Sequence, residues 1–236
     1  LSSAQANAIT AQNSITTLAA ALSDTTGTAD SVTVTIDDVD TTAGAITIGA
    51  LNAAGVETLN IVTGDMAVTH VVSALTSSTS VKTLNVSGTS NLTISDATAM
   101  AAGATVDATD FAKNSNVTIG AGDIVLAGAG DDTVNAAFAQ LGNTTKVSGG
   151  AGDDTLNITG NGMDMVDADF ALITGVDNIT IASATTASLT LAGFAQGAIA
   201  TVDKNTDGLL DITAAALTGA STIDASAMIS NGVDVT

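Results

Sequence analysis

Two nine-residue stretches place carboxylates and glycines where they could hold a cation. Ala127-Gly-Ala-Gly-Asp-Asp-Thr-Val-Asn135 is echoed by Gly149-Gly-Ala-Gly-Asp-Asp-Thr-Leu-Asn157. Both follow the nonapeptide G-G-x-G-x-D-x-U-x, where U is a large aliphatic. The second matches every fixed position, and the first has Ala127 in place of the leading glycine. Gly128, Gly130, Gly150 and Gly152 permit a tight turn with carbonyls pointing at a cation. Asp132 and Asp154 supply the sixth-position carboxylates, with Asp131 and Asp153 beside them. Val134 and Leu156 turn inward where a strand begins. A weaker relative, Thr118–Leu126, has Asp123 and Val125 in phase but its glycines displaced by one. Oxygens of this kind suit calcium, which takes them at about 2.3–2.6 Å. The alternative is a Gly-Asp turn without metal.

A third stretch, Asp203-Lys-Asn-Thr-Asp-Gly-Leu-Leu-Asp211, follows D-x-[DN]-x-[DN]-G, the opening of an EF-hand-type loop. Asp203, Asn205 and Asp207 would give side-chain oxygens, Leu209 its carbonyl, and Asp211 stands at the ninth position. The twelfth, which should be a bidentate Glu, is Ala214, so a helix–loop–helix is not expected. The expectation is a calcium loop completed by a remote carboxylate or water; an Asx-turn cluster is the alternative. The single histidine, His70, lies among Val68, Val71 and Val72 and reads as a surface or core residue. No catalytic motif is present, so no catalytic residue is expected.

Composition supports the cation reading. Against 4 basic residues stand 24 acidic ones, a net charge of −20 over 236 residues, and all the acids but Glu57 are Asp. Such a chain lacks the cations to bind nucleic acid through phosphates. With no Cys it has no disulfide framework. A hydrophobic fraction of 45% is enough for a core. No apolar run approaches the roughly 18 residues of a membrane-spanning helix. No basic segment precedes an apolar stretch at the start, so a fragment, or an export signal placed elsewhere, is expected.

The elements that must position these turns are short strands. Apolar-x-apolar pairs recur, such as Val34/Ile36, Leu59/Ile61, Leu84/Val86, Val117/Ile119 and Leu156/Ile158, separated by Gly, Asn, Asp or Ser. Period two means one face in and one face out. Gly55–Ile61, Ser80–Val86 and Gly175–Ile181 are versions of one another, and Asp154–Ile158 shares their centre. Such self-similarity points to an all-β solenoid, each coil buried against its neighbours. The absence of Pro fits strands that donate on both sides. A β-sandwich is the alternative. Ala97–Ala104, Ala136–Leu141 and Ala214–Ala220 are expected as short helical insertions or small-residue corners. Residues 1–24 read as a helical connector, because Ile15, Leu18 and Leu22 are three and four apart. Residues 25–236 are then the solenoid, with calcium turns around 118–158 and the loop at 203–211.

The nonapeptides resemble the RTX family of calcium-dependent bacterial secreted proteins. The stretch from Asp123 to Ile158 is similar to RTX surface-layer (S-layer) proteins of Gram-negative bacteria, and Phe170–Ile181 is similar to a strand that such proteins repeat. The resemblance implies a right-handed parallel β-solenoid or β-roll, several bound Ca2+ ions, and secretion to the cell surface. It implies self-assembly into a two-dimensional lattice, with cell-surface polysaccharide a further partner through another part of the protein. An RTX adhesin segment is the runner-up, and the non-catalytic calcium-binding tail of a secreted hydrolase the third reading.

Overall fold

The computed structural model describes residues 7–22, 26–38, 44–64, 68–141, 144–160, 163–183, 187–190, 210–213, 222–224 and 233–235. Its strands are β1 (Asn7–Ala11), β2 (Ile15–Ala19), β3 (Ser31–Ile36), β4 (Thr47–Asn52), β5 (Thr58–Thr63), β6 (Thr69–Val72), β7 (Leu75–Thr76), β8 (Thr83–Gly88), β9 (Asn91–Ile94), β10 (Thr105–Asp107) and β11 (Ser115–Thr118). There follow β12 (Ile124–Leu126), β13 (Thr133–Ala137), β14 (Lys146–Ser148), β15 (Thr155–Gly160), β16 (Met163–Val166), β17 (Ile173–Thr174), β18 (Asn178–Ser183), β19 (Ala187–Thr190), β20 (Leu210–Thr213), β21 (Thr222–Asp224) and β22 (Val233–Val235).

Parallel strands need a crossover. Here the crossovers as far as β18 run through a strand of the opposite sheet, which makes a β-solenoid of about seven turns. Sheet A runs β1-β3-β5-β8-β10-β12-β14-β17. Sheet B runs β2-β4-β6-β9-β11-β13-β15-β18-β20-β22, with β7 beside β4. From β16 onward the coils add a third side, the sheet β16-β19-β21, which the sequence reading did not foresee. The parallel pairing excludes the sandwich alternative.

Period-two alternation fills the interior. Val34, Ile36, Leu59, Ile61, Leu84, Val117, Ile119, Leu156 and Ile158 are all buried between the sheets. Burial of each contributes roughly 1.5–3 kcal/mol. Outward positions carry Thr and Asn, and the asparagines form ladders along the stack. Asn85 Nδ2 donates to Asn60 Oδ1 (2.7 Å), Asn135 Nδ2 to Asn116 Oδ1 (2.7 Å) and Asn157 Nδ2 to Asn135 Oδ1 (2.9 Å). The repeated Thr-Leu-Asn unit thus places Leu in the core and Asn in a ladder. Its copies at β5 and β8 pair in register, Leu59 against Leu84 and Asn60 against Asn85.

Of the helical connector expected over 1–24, the described residues, 7–22, form a coil with the strands β1 and β2 instead. The three-residue spacing of Ile15 and Leu18 is shared by the strands stacked on them. Ile15 pairs with Ile48 and Leu18 with Leu51; Ile48 pairs with Val72 and Leu51 with Leu75. Sheet B bends there, and both inward residues of each strand stand three apart. Of the expected helical insertions, 136–141 contains a 3-10 turn at Phe138–Gln140. Residues 97–104 are non-helical turn, and 214–220 lie outside the described residues. A second 3-10 turn covers Asp167–Phe170.

Candidate metal centre

One corner precedes each strand of sheet B, another each strand of sheet A. The chain turns there, and the backbone N–H facing along the stack has no strand partner. At several of these corners a side chain at the same corner one coil later accepts it, while at Glu57, Lys82 and Leu92 a backbone carbonyl does. In the sheet B corner Ser115 N–H donates to Asp132 Oδ1 (2.6 Å), Asp132 N–H to Asp154 Oδ1 (2.8 Å) and Asp154 N–H to Asp177 Oδ2 (2.8 Å). The register of β13, β15 and β18 stacks these three acids in one column. All are buried, at 2–3% exposure. His70 does the same work lower in the column, its Nδ1 accepting from Ile46 N–H (3.1 Å). In the sheet A corner Ala104 N–H donates to Asp123 Oδ1 (3.1 Å) and Asp30 N–H to Glu57 Oε2 (2.9 Å). Asp123 and Asp132, nine residues apart, therefore stand half a coil apart at opposite corners.

Asp131 and Asp153 are in a different position. They are exposed and form an outer column whose hydrogen bonds run the other way. Asn114 N–H donates to Asn91 Oδ1, Asp131 N–H to Asn114 Oδ1 and Asp153 N–H to Asp131 Oδ1, each 3.1 Å. Asn178 Nδ2 closes this column on Asp153 Oδ1 (2.6 Å). Two adjacent columns with opposed polarity satisfy successive N–H groups of each corner. A short acid suits both tasks.

The glycines of the two nonapeptides are places of close coil-to-coil approach. A Cβ on Gly128 would collide with the Phe111 carbonyl, one on Gly150 with the Gly128 carbonyl, and one on Gly152 with the Gly130 carbonyl. Gly150 and Gly152 also have φ of 105° and 129°, where side chains are disfavoured.

The three inner acids of the nonapeptides differ in what remains free. Both Asp123 oxygens are used, since Gly120 N–H reaches Oδ2 (2.8 Å). Both Asp132 oxygens are used as well, Oδ2 accepting from Gly128 N–H (3.1 Å). Asp154 Oδ2 is buried and accepts no hydrogen bond. A Cβ on Gly149 would lie 2.6 Å from that oxygen and would collide with the Gly175 carbonyl oxygen. Two oxygens from adjacent coils thus crowd the place where a side chain at this position would begin. In the first nonapeptide that position is Ala127.

The electrostatics agree. Burial, with the carboxylates of Asp132, Asp177 and Asp131 adding to it, pushes the Asp154 carboxyl up to about 7. Burial also raises Asp132, partly offset by the Ser115 and Gly128 N–H groups. Asp123 is raised by burial against the N–H groups of Gly120, Ala104 and Gly103. A buried acid held this way takes up a proton, or a cation in its place. Among the described residues, no three His, Asp or Glu side chains gather into a metal-holding group. A cation at Asp154 would therefore lean on backbone carbonyls and water, as hard cations commonly do.

Asp177 is the functional candidate that the motif reading missed. Gly175-Val-Asp177 lacks the nonapeptide glycines, and only the resemblance of Gly175–Ile181 to the strand-opening repeats pointed to it. Of the EF-hand-like loop, Asp203, Asn205, Asp207 and Leu209 lie outside the described residues. Asp211 lies in β20 opposite Asn178, one position past the acidic column.

Comparison with family models, curated proteins and solved structures gave no match.

Proposed function

We propose that this chain is a calcium-dependent structural solenoid of an RTX-type bacterial surface layer, exported and then folded and assembled by calcium outside the cell. The observation that carries this reading is the unpartnered Asp154 Oδ2, sealed in a column of three buried carboxylates and lying with the Gly175 carbonyl over Gly149. Asp154, the Gly175 carbonyl and the carboxylate of Asp177 would hold the ion. Its charge would offset the repulsion within the column.

The net charge of −20 supplies the switch. Without cations, self-repulsion opposes the compact state. Extracellular calcium modules bind at roughly 10⁻⁴–10⁻³ M, which millimolar calcium occupies. An ion that binds only the folded chain stabilises it by about 2.7 kcal/mol at a hundredfold excess over Kd. The repetitive parallel stack and its Asn ladders favour a building element. Among the described residues no helix is long and apolar enough to cross a membrane.

Far-UV circular dichroism and electron microscopy test the reading. The strand signal is expected to weaken in EGTA, melting at a lower temperature, and to recover with calcium, and periodic sheets are expected on calcium addition. Strand signal indifferent to EGTA overturns the calcium switch. Isolated rods that adhere to cells would favour the adhesin reading over the lattice.

A further inference from the structure

The Asp154–Asp177 corner has a counterpart half a turn around the solenoid and several coils away. There Asp30 N–H donates to Glu57 Oε2 (2.9 Å), as Asp154 N–H donates to Asp177. Asp30 is 8% exposed, and its Oδ2 is buried and accepts no hydrogen bond, as at Asp154. A Cβ on Gly27 would collide with that oxygen, so here too the carboxylate lies over a glycine that leaves room for it. The register of β3 and β5 places Asp30 and Glu57 on neighbouring coils. The next residue at this corner, Lys82, is exposed, and its backbone N–H donates to the Glu57 carbonyl (2.9 Å).

We propose that Asp30 and Glu57 form a second divalent-cation site. The inference rests on the reading of Asp154 as a cation ligand, because the two corners share their geometry. The surrounding Gly27-Thr-Ala-Asp30-Ser-Val32 does not match the nonapeptide, and no motif marks it. Two carboxylates on adjacent coils, one with an oxygen sealed from water and given no donor, repel each other unless a cation comes between them. The donors are all hard oxygens, with no imidazole or thiolate, and they select calcium over zinc or copper. Half-buried Glu57 leaves one side of the site open to water, which completes the coordination. Glu57 is the chain's single glutamate, and its extra methylene lets the second coil reach the Asp30 N–H while its other oxygen stays available. Two such corners on opposite edges would tie early and late coils to the same calcium signal.

Calorimetric titration of the whole chain with calcium chloride, after removal of calcium by chelation, separates the possibilities. Glu57→Gln keeps an acceptor for the Asp30 N–H and removes only the charge. It is expected to weaken one class of calcium sites by about tenfold or more. Asp30→Asn should do the same, Asp154→Asn should remove a different class, and the double variant Glu57→Gln/Asp154→Asn should lose both. Wild-type titration by Glu57→Gln and Asp30→Asn overturns this proposal and leaves the Asp154 reading standing. A wild-type chain that takes up no calcium overturns both. Should a variant fail to fold, lanthanide-soaked crystals of the wild type decide. Anomalous density between Asp30 and Glu57 supports the site, and density at Asp154 without any at Asp30 sinks it.

Discussion

Asp132 and Asp154 hold the same place in two near-identical turns, yet only Asp154 has an oxygen without a donor. The difference traces to position one, where Ala127 stands in the first turn and Gly149 in the second, and to the Gly128 N–H that occupies Asp132 Oδ2. Asp154→Asn is expected to abolish most of the calcium-induced rise in melting temperature, and Asp132→Asn to retain most of it. In EGTA at about pH 8 Asp154→Asn should melt higher than wild type, by an amount corresponding to roughly 2–4 kcal/mol. Its amide oxygen still accepts from Asp132 N–H. The pH dependence has a definite sign. The folded Asp154 carboxyl titrates at about 7, above its ordinary 3.8, so the native state binds more protons than the unfolded chain between these values. Calcium-free stability from this group is therefore full at about pH 4 and is lost as pH rises towards 7. A thermal melt in EGTA that climbs over that interval would contradict the assignment. His70 is governed by the same corner rule. His70→Ala leaves the Ile46 N–H unsatisfied in a sealed interior, and its cost should be about 2–4 kcal/mol by urea denaturation.

Each turn is set by how closely successive coils approach. Gly150 and Gly152 face the carbonyls of Gly128 and Gly130, and both have positive φ. Gly103 has φ of 76° as well, but a Cβ there meets nothing nearer than the Gly122 carbonyl at 3.8 Å. Gly103→Ala should cost about 1 kcal/mol, the conformational term alone. Gly152→Ala adds a backbone clash that forces two coils apart, and its loss should be at least about twice as large. Equal losses in urea melts would mean that coil spacing is not what the nonapeptide glycines protect. The insert between the nonapeptides shows how the solenoid absorbs irregularity. Asp132 and Asp154 are 22 residues apart, and the surplus leaves the strand path through the Phe138–Gln140 turn, while Thr133 still pairs with Thr155.

The molecule as a whole is a stack in which each coil touches its neighbours, so its stability approximates a sum of coil and interface terms. Thr58, Thr83 and Thr105 occupy equivalent positions in β5, β8 and β10. Deleting residues 83–104 should therefore remove one whole coil and bring Thr105 against Thr58. The shortened chain is expected to fold, with the same strand signature per residue and a urea m-value reduced roughly in proportion to length. Failure to fold would show that this coil supplies something other than stacking. Net charge also acts at this scale: salt should relieve the surface part of the repulsion but should not replace calcium at Asp154, which is sealed from solvent.

The strands, their inward residues and the Gly-Asp turns were legible because their information is local. Period two identifies Leu59, Ile61 and Leu84 as core, and glycine spacing marks the turns at 128–132 and 150–154. Three things were decided only by coil meeting coil. The Ile15/Leu18 spacing imitates a helix until Ile48 and Leu51 are stacked on it and show a bend in a sheet. Asp131 and Asp132 are chemically identical neighbours, and stacking alone makes one an exposed ladder rung and the other a buried one. Asp177 and the Asp30–Glu57 corner carry no motif, since their partners lie 23 to 27 residues away. Short-range pattern fixes which face of a strand is apolar; which carboxylate loses its water depends on the neighbouring coil.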